Sequence, residues 1–177
     1  MLLRLPGVHE RGCRNGKKSL GSHSCSCSEM TAPCLVSVTR LRLRSRFFLI
    51  PLAFRTEIIA RRQLLRSRGF LGGKLLADKN RVFWTMTTWS DESSMRSFER
   101  SGIHKNAMPS LRRWCDEAAV THWISNEKGI PNWMEAHRYL SKDPKMSPLD
   151  HPSQSHLSKQ FAPPVWTSRK ERILKPA

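Results

Sequence analysis

The residues with chemical potential concentrate between Arg81 and Trp123. His104 follows Ser101-Gly102, a pair that interrupts a helical pattern. An imidazole at such a break could face a space between helix and sheet, as a haem ligand or a general acid/base. The plainer role is a histidine that caps or packs at a helix N-terminus. His122 stands in a strand pattern between Val120 and Ile124, where a core histidine bonded to backbone is the first explanation. Trp84, Trp89, Trp114 and Trp123 offer flat apolar faces that could line a pocket for an apolar or aromatic molecule, with His122 beside them. The same spacing suits ordinary core packing. Asp116-Glu117 could supply a base, yet next to Arg112 and Arg113 they read as a surface ion-pair cluster. Cys115 falls on an apolar stripe and reads as a buried, inert thiol. There is no Ser-His-Asp set, phosphate loop or metal-ligand run.

Charge adds a second line of argument. The net charge is +17, and residues 30–80 carry about +9 of it, against about +1 for residues 81–125. A basic excess favours anionic partners such as nucleic acid or acidic lipid, although a solvated Arg-rich surface accounts for it as well. A nucleic-acid module would use Arg40, Arg42, Arg44, Arg61, Arg62 and Arg66. Five cysteines make a poor disulfide framework, and Cys25-Ser26-Cys27 lacks zinc spacing, so free thiols in a reducing cytoplasm are expected. The longest apolar run, Phe47 to Phe54, is broken at Pro51 and too short to span a bilayer.

The elements that must position these residues follow from local pattern. Residues 1–29 are low in periodicity and rich in Ser, Gly and Cys; they read as a disordered extension upstream of Met30. Cys34 to Arg44 alternates as a strand, with Arg40, Arg42 and Arg44 on one face. Phe47 to Phe54 reads as an apolar loop, and Thr56 as the N-cap of a helix over Glu57 to Ser67, stopped by Gly69. Phe70 to Ala77 is a strand in which Gly72-Gly73 marks a bulge or a close backbone approach. Asp78 to Arg81 turns the chain into a strand over Val82 to Trp89. Ser90 or Asp91 caps a helix that breaks at Ser101-Gly102. Its second piece runs to about Glu117, with Pro109 near its first turn, and Ala119 to Ser125 is the last strand. Ile130 to Leu140 reads as a short amphipathic helix.

The resulting order is β-α-β-β-α-β, a ferredoxin-like α+β domain over residues 33–125, with a C-terminal helix at 126–142 and a flexible tail at 143–177. Helices on one side of the sheet leave aromatic residues bare on the other, which predicts a homodimer packed face to face.

Phe83-Trp84-Thr85, Trp89, Asp91-Glu92, Met95-Arg96, Phe98, Ser101-Gly102-Ile103-His104, Ala107-Met108-Pro109, Trp114-Cys115-Asp116-Glu117-Ala118 and His122-Trp123 carry a resemblance. The stretch resembles an uncharacterised bacterial family of the dimeric α+β barrel superfamily, which includes the antibiotic biosynthesis monooxygenases, and is distantly similar to spheroidene monooxygenase. The resemblance covers about residues 33–125. It implies a monooxygenase-like protein that binds an apolar or aromatic small molecule, with oxygenation left open. Haem and no cofactor at all are equally compatible with it. It carries no catalytic set across; His104 is the residue that packing explains least. The alternatives are a basic nucleic-acid module and a non-catalytic structural dimer.

Overall fold

The computed structural model describes residues 32–127, 129–165 and 170–177; the expected extension at 1–29 lies outside them, as does the side chain of Arg61. Strand β1 (Cys34–Leu43) is the centre of the sheet. Helix α1 (Leu49–Arg62) and a 3-10 turn at Leu64–Arg66 lead to β2 (Phe70–Ala77), and a second 3-10 turn leads to β3 (Val82–Trp89). Helices α2 (Glu92–Arg100) and α3 (Gly102–Trp114) precede β4 (Cys115–Ser125). Then come α4 (Trp133–Lys142), β5 (Lys145–Met146), α5 (Gln154–Leu157) and β6 (Glu171–Leu174). Among the described residues six strands form one sheet, ordered β5-β4-β1-β3-β2-β6, with every neighbouring pair antiparallel. Its inner four strands, with α1 and the α2–α3 pair as crossovers, give the ferredoxin-like α+β order.

Several boundaries differ from the sequence reading, each for a local reason. Helix α1 starts at Leu49, so Phe47–Phe54 is mostly helical and Thr56 is not an N-cap. Pro51 falls in the first turn, where its missing N–H leaves no bond unmade. In α3, by contrast, Pro109 lies inside the helix. Its nitrogen cannot donate to the Lys105 carbonyl, a loss offset by the packing of Ala107 and Ser110, both buried. Strand β4 begins at Cys115, because β1 runs on to Leu43 and offers its backbone: Cys115 pairs with Leu43, and Glu117 with Arg42. Cys115 and Ala118 therefore belong to a strand and not to a helical stripe. The β2 glycines fulfil both expectations. The register shifts between Phe70 and Gly72, and a Cβ on Gly73 would come within 2.5 Å of the Met86 carbonyl oxygen.

The larger difference lies after Ser125. Trp133, Ala136 and Leu140 of α4, together with Phe161, pack onto Val36, Val38, Trp84, Met86 and Trp123. They cover the sheet face that the sequence left bare. Residues 143–177, read as a flexible tail, supply both edge strands of the sheet, β5 on β4 and β6 on β2. The face-to-face homodimer loses its physical reason, because the chain's own C-terminal segment occupies that face. No helix among the described residues is long and apolar enough to cross a membrane.

Candidate functional site

On the opposite face of the sheet, α1, α2 and α3 arch over a cavity of about 930 Å³. Its floor is a square of hydroxyls from neighbouring strands. Ser37 of β1 pairs in register with Thr87 of β3, and Thr39 with Thr85. Strand alternation puts these four on one side and Val36, Val38, Trp84 and Met86 on the other. The walls are apolar: Leu52, Ile59 and Leu64 come from the α1 side, Met95 and Phe98 from α2, and Met108 and Leu111 from α3. A mostly apolar chamber with a few placed polar groups is the usual form of a small-molecule site.

His104 lines this cavity. It is the third residue of α3, and its position is fixed by three contacts. Gln63 bridges the break between α2 and α3: its Nε2 donates to the Phe98 and Ser101 carbonyls at 3.1 and 3.0 Å, and its Oε1 accepts the His104 N–H at 3.0 Å. One side chain thus adds a second donor to two carbonyls at the junction, which already accept the Ser101 and Lys105 N–H groups, and satisfies a free amide in the first turn of α3. The His104 ring packs on Phe98, centroids 4.7 Å apart. Its Nδ1 lies 3.1 Å from the Glu99 carbonyl oxygen. A carbonyl only accepts, so Nδ1 carries the proton and Nε2 keeps its lone pair. Nε2 has no hydrogen-bond partner among the described residues. Burial pushes the His104 pKa below the ordinary histidine value, with Glu99 opposing. The imidazole is therefore neutral at pH 7 and able to accept a proton or to bind an electrophile.

The other residues named from sequence separate. Trp89 lines the cavity, its Nε1 donating to Thr87 Oγ1 at 2.9 Å. Trp84 and Trp123 sit on the far face beneath α4, where Trp123 stacks on Tyr139 at 4.2 Å. Residues of opposite parity on one strand cannot line the same side, so Trp84 and Trp89 could not share a pocket. Trp114 stacks on Phe48 at 5.6 Å and supports the Arg55 guanidinium at 4.8 Å, outside the cavity wall. His122 is on the cavity side of the sheet but stands next to Glu99, 3.9 Å from its Oε1, and is not among the lining residues. Burial lowers its pKa as well. Cys115 is fully buried, its pKa pushed up to about 12, which leaves the thiol inert. Gln63, Glu99, Arg55 and the four hydroxyls carry no local signal in the sequence, since their roles depend on neighbours distant along the chain.

The basic strand face is also resolved. Arg40 donates to Glu117 deep in the fold, with its guanidinium 4.7 Å above the Phe161 ring. Arg42 bonds both carboxylate oxygens of Asp116, at 2.8 and 3.0 Å, and pairs with Glu117 at 2.9 Å. Asp116 and Glu117 therefore serve β1, not Arg112 and Arg113. Arg44 covers the Phe48 ring. Arg62 and Arg66 remain exposed. Two of the arginines that a nucleic-acid face would need are consumed inside the chain. No group of three or more His, Cys, Asp or Glu among the described residues could hold a metal ion.

As a haem ligand, His104 has a suitable donor set: Nδ1 anchored on a carbonyl, Nε2 free, and apolar walls around it. Haem, were it bound there, would be held through His104 Nε2 and would supply redox chemistry.

No protein-family model matches the sequence, and no curated protein does either. Among solved structures, the chain is similar to a conserved protein from Methanosarcina mazei Go1, at 15% identity over 52% of this chain and 92% of that one, TM-score 0.47. It is also similar to a candidate antibiotic biosynthesis monooxygenase from Nitrosomonas europaea, at 10% identity over 54% and 90%, TM-score 0.46. A third is a mutant form of SnoaB, a cofactor-independent oxygenase from Streptomyces nogalater, at 17% identity over 54% and 94%, TM-score 0.39. These are loose likenesses, and the ferredoxin-like assignment rests on the chain's own strand order.

Proposed function

We propose that this protein binds an apolar or aromatic small molecule in the cavity under α3 and acts on it as a monooxygenase-like enzyme, with His104 as the proton acceptor. The observation that carries the reading is the apolar chamber into which one oriented, neutral imidazole is set. The hydroxyl floor at Ser37, Thr39 and Thr85 offers hydrogen bonds to an oxygen substituent of the ligand. A phenol or enol that gives up its proton to His104 becomes electron-rich, the form in which such molecules react with dioxygen. The test has two readouts. Titration with a polycyclic phenol such as naphthol should quench the tryptophan fluorescence through Trp89. Dioxygen uptake with that ligand should fall about a hundredfold in His104→Gln, the usual scale of a lost general base, with quenching retained. Absence of both quenching and a haem absorption band on titration would sink the reading. A histidine base also predicts uptake that declines as pH falls through a value below 6.5.

A further inference from the structure

The charges around the cavity are one-sided. Arg55, Arg100, Lys105 and Arg112 line it, and Glu99 is the one carboxylate among the described lining residues. Arg112 is taken by Asp150, Nε to Oδ1 at 2.5 Å. Arg100 and Lys105 are exposed, where water solvates them. Arg55 is different. It is half-buried on α1, its Nη1 donates to Ser110 Oγ at 2.6 Å, and its guanidinium carbon lies 4.8 Å from the Trp114 ring centre. No carboxylate pairs with it among the described residues. A guanidinium has five N–H donors, and one hydroxyl uses one of them. Held between Ser110 and Trp114, the fork is oriented in advance and has no counter-ion among the described residues. That is the arrangement into which a carboxylate fits with two parallel hydrogen bonds.

We infer that the cavity is built for an amphiphilic anion: an apolar or aromatic body inside, carrying a carboxylate that seats on Arg55. A single positioned guanidinium balances a single negative charge, which favours a carboxylate over a doubly charged phosphate. The inference rests on the cavity-binding reading above and names the class of molecule for it.

Two probes with the same ring separate the two ideas: naphthoate, which is anionic, and naphthalenemethanol, which is neutral. Tryptophan quenching in the full chain should give naphthoate an affinity at least about tenfold higher, the scale of a charge-assisted pair in a partly buried site. Arg55→Gln should remove that preference and leave the affinity for naphthalenemethanol unchanged. Arg55→Lys, which keeps the charge but not the fork and guards against a folding defect, should restore part of it. Equal affinities in the wild type, or a preference that survives Arg55→Gln, overturn the inference while the cavity reading stands. If neither probe binds, the cavity reading fails and the inference falls with it.

Discussion

Arg40 and Glu117 meet beneath the C-terminal segment, 4% and 2% exposed. Two charges so placed are costly to desolvate, and what they need is each other and further donors. The fold supplies them: Arg42 reaches the same carboxylate, Ser153 Oγ donates to Glu117 Oε1 at 3.3 Å, and Phe161 covers the guanidinium. Removing one partner strands the other. Glu117→Gln should destabilise the fold by about 3–5 kcal/mol, read as a lower urea midpoint. The paired change Arg40→Met with Glu117→Leu should recover most of that loss, because no unpaired charge is left behind. A recovery that does not appear would mean that the pair does more than neutralise itself.

Strand β2 shows how an element is decided by its neighbour. Gly73 lies against the backbone of β3, so its lack of a side chain is a requirement of the pairing and not an accident of composition. Gly73→Ala should cost about 1–3 kcal/mol, the range for forced overpacking, and should weaken amide-exchange protection along the β2–β3 pair more than along β1–β4. Gly69, with φ 75, ends the helical segment on the other side of β2, and a Cβ there would meet Ser90 and Ser94. The same logic explains α2 and α3. Their break at Ser101-Gly102 is visible in the sequence; Gln63, which holds its two ends together, is not.

For the molecule as a whole, the C-terminal segment is structural. It covers one sheet face with Trp133, Ala136, Leu140 and Phe161, and it caps both sheet edges with β5 and β6. A chain ended at Ser125 would expose Trp84, Met86 and Trp123 together, a patch that soluble monomers avoid. Such a chain should self-associate in analytical ultracentrifugation, whereas the full chain should show no association through that face. A truncated chain that stays monomeric and folded would show that the covering is dispensable.

The sequence by itself determined the four inner strands, their β-α-β-β-α-β order, the break before His104 and the amphipathic helix α4; it also had Cys115 buried, but on a helical stripe where the structure has a strand. Those follow from alternation, caps and glycine, which act over a few residues. It could not determine where α1 begins or where β4 starts, because a helix end can be settled by a tolerated proline, and a strand end by the length of its partner. Nor could it divide the tryptophans between the faces that are covered in different ways. Only the tertiary structure decided that Trp89 and His104 share a cavity while Trp84 and Trp123 lie beneath α4. It alone turned Arg40 and Arg42 from a basic surface into a buried and a part-buried pair with Glu117 and Asp116, and left Arg55 with no carboxylate partner among the described residues. Local pattern sets which side of an element a residue occupies; what waits on that side is set by segments dozens of residues away.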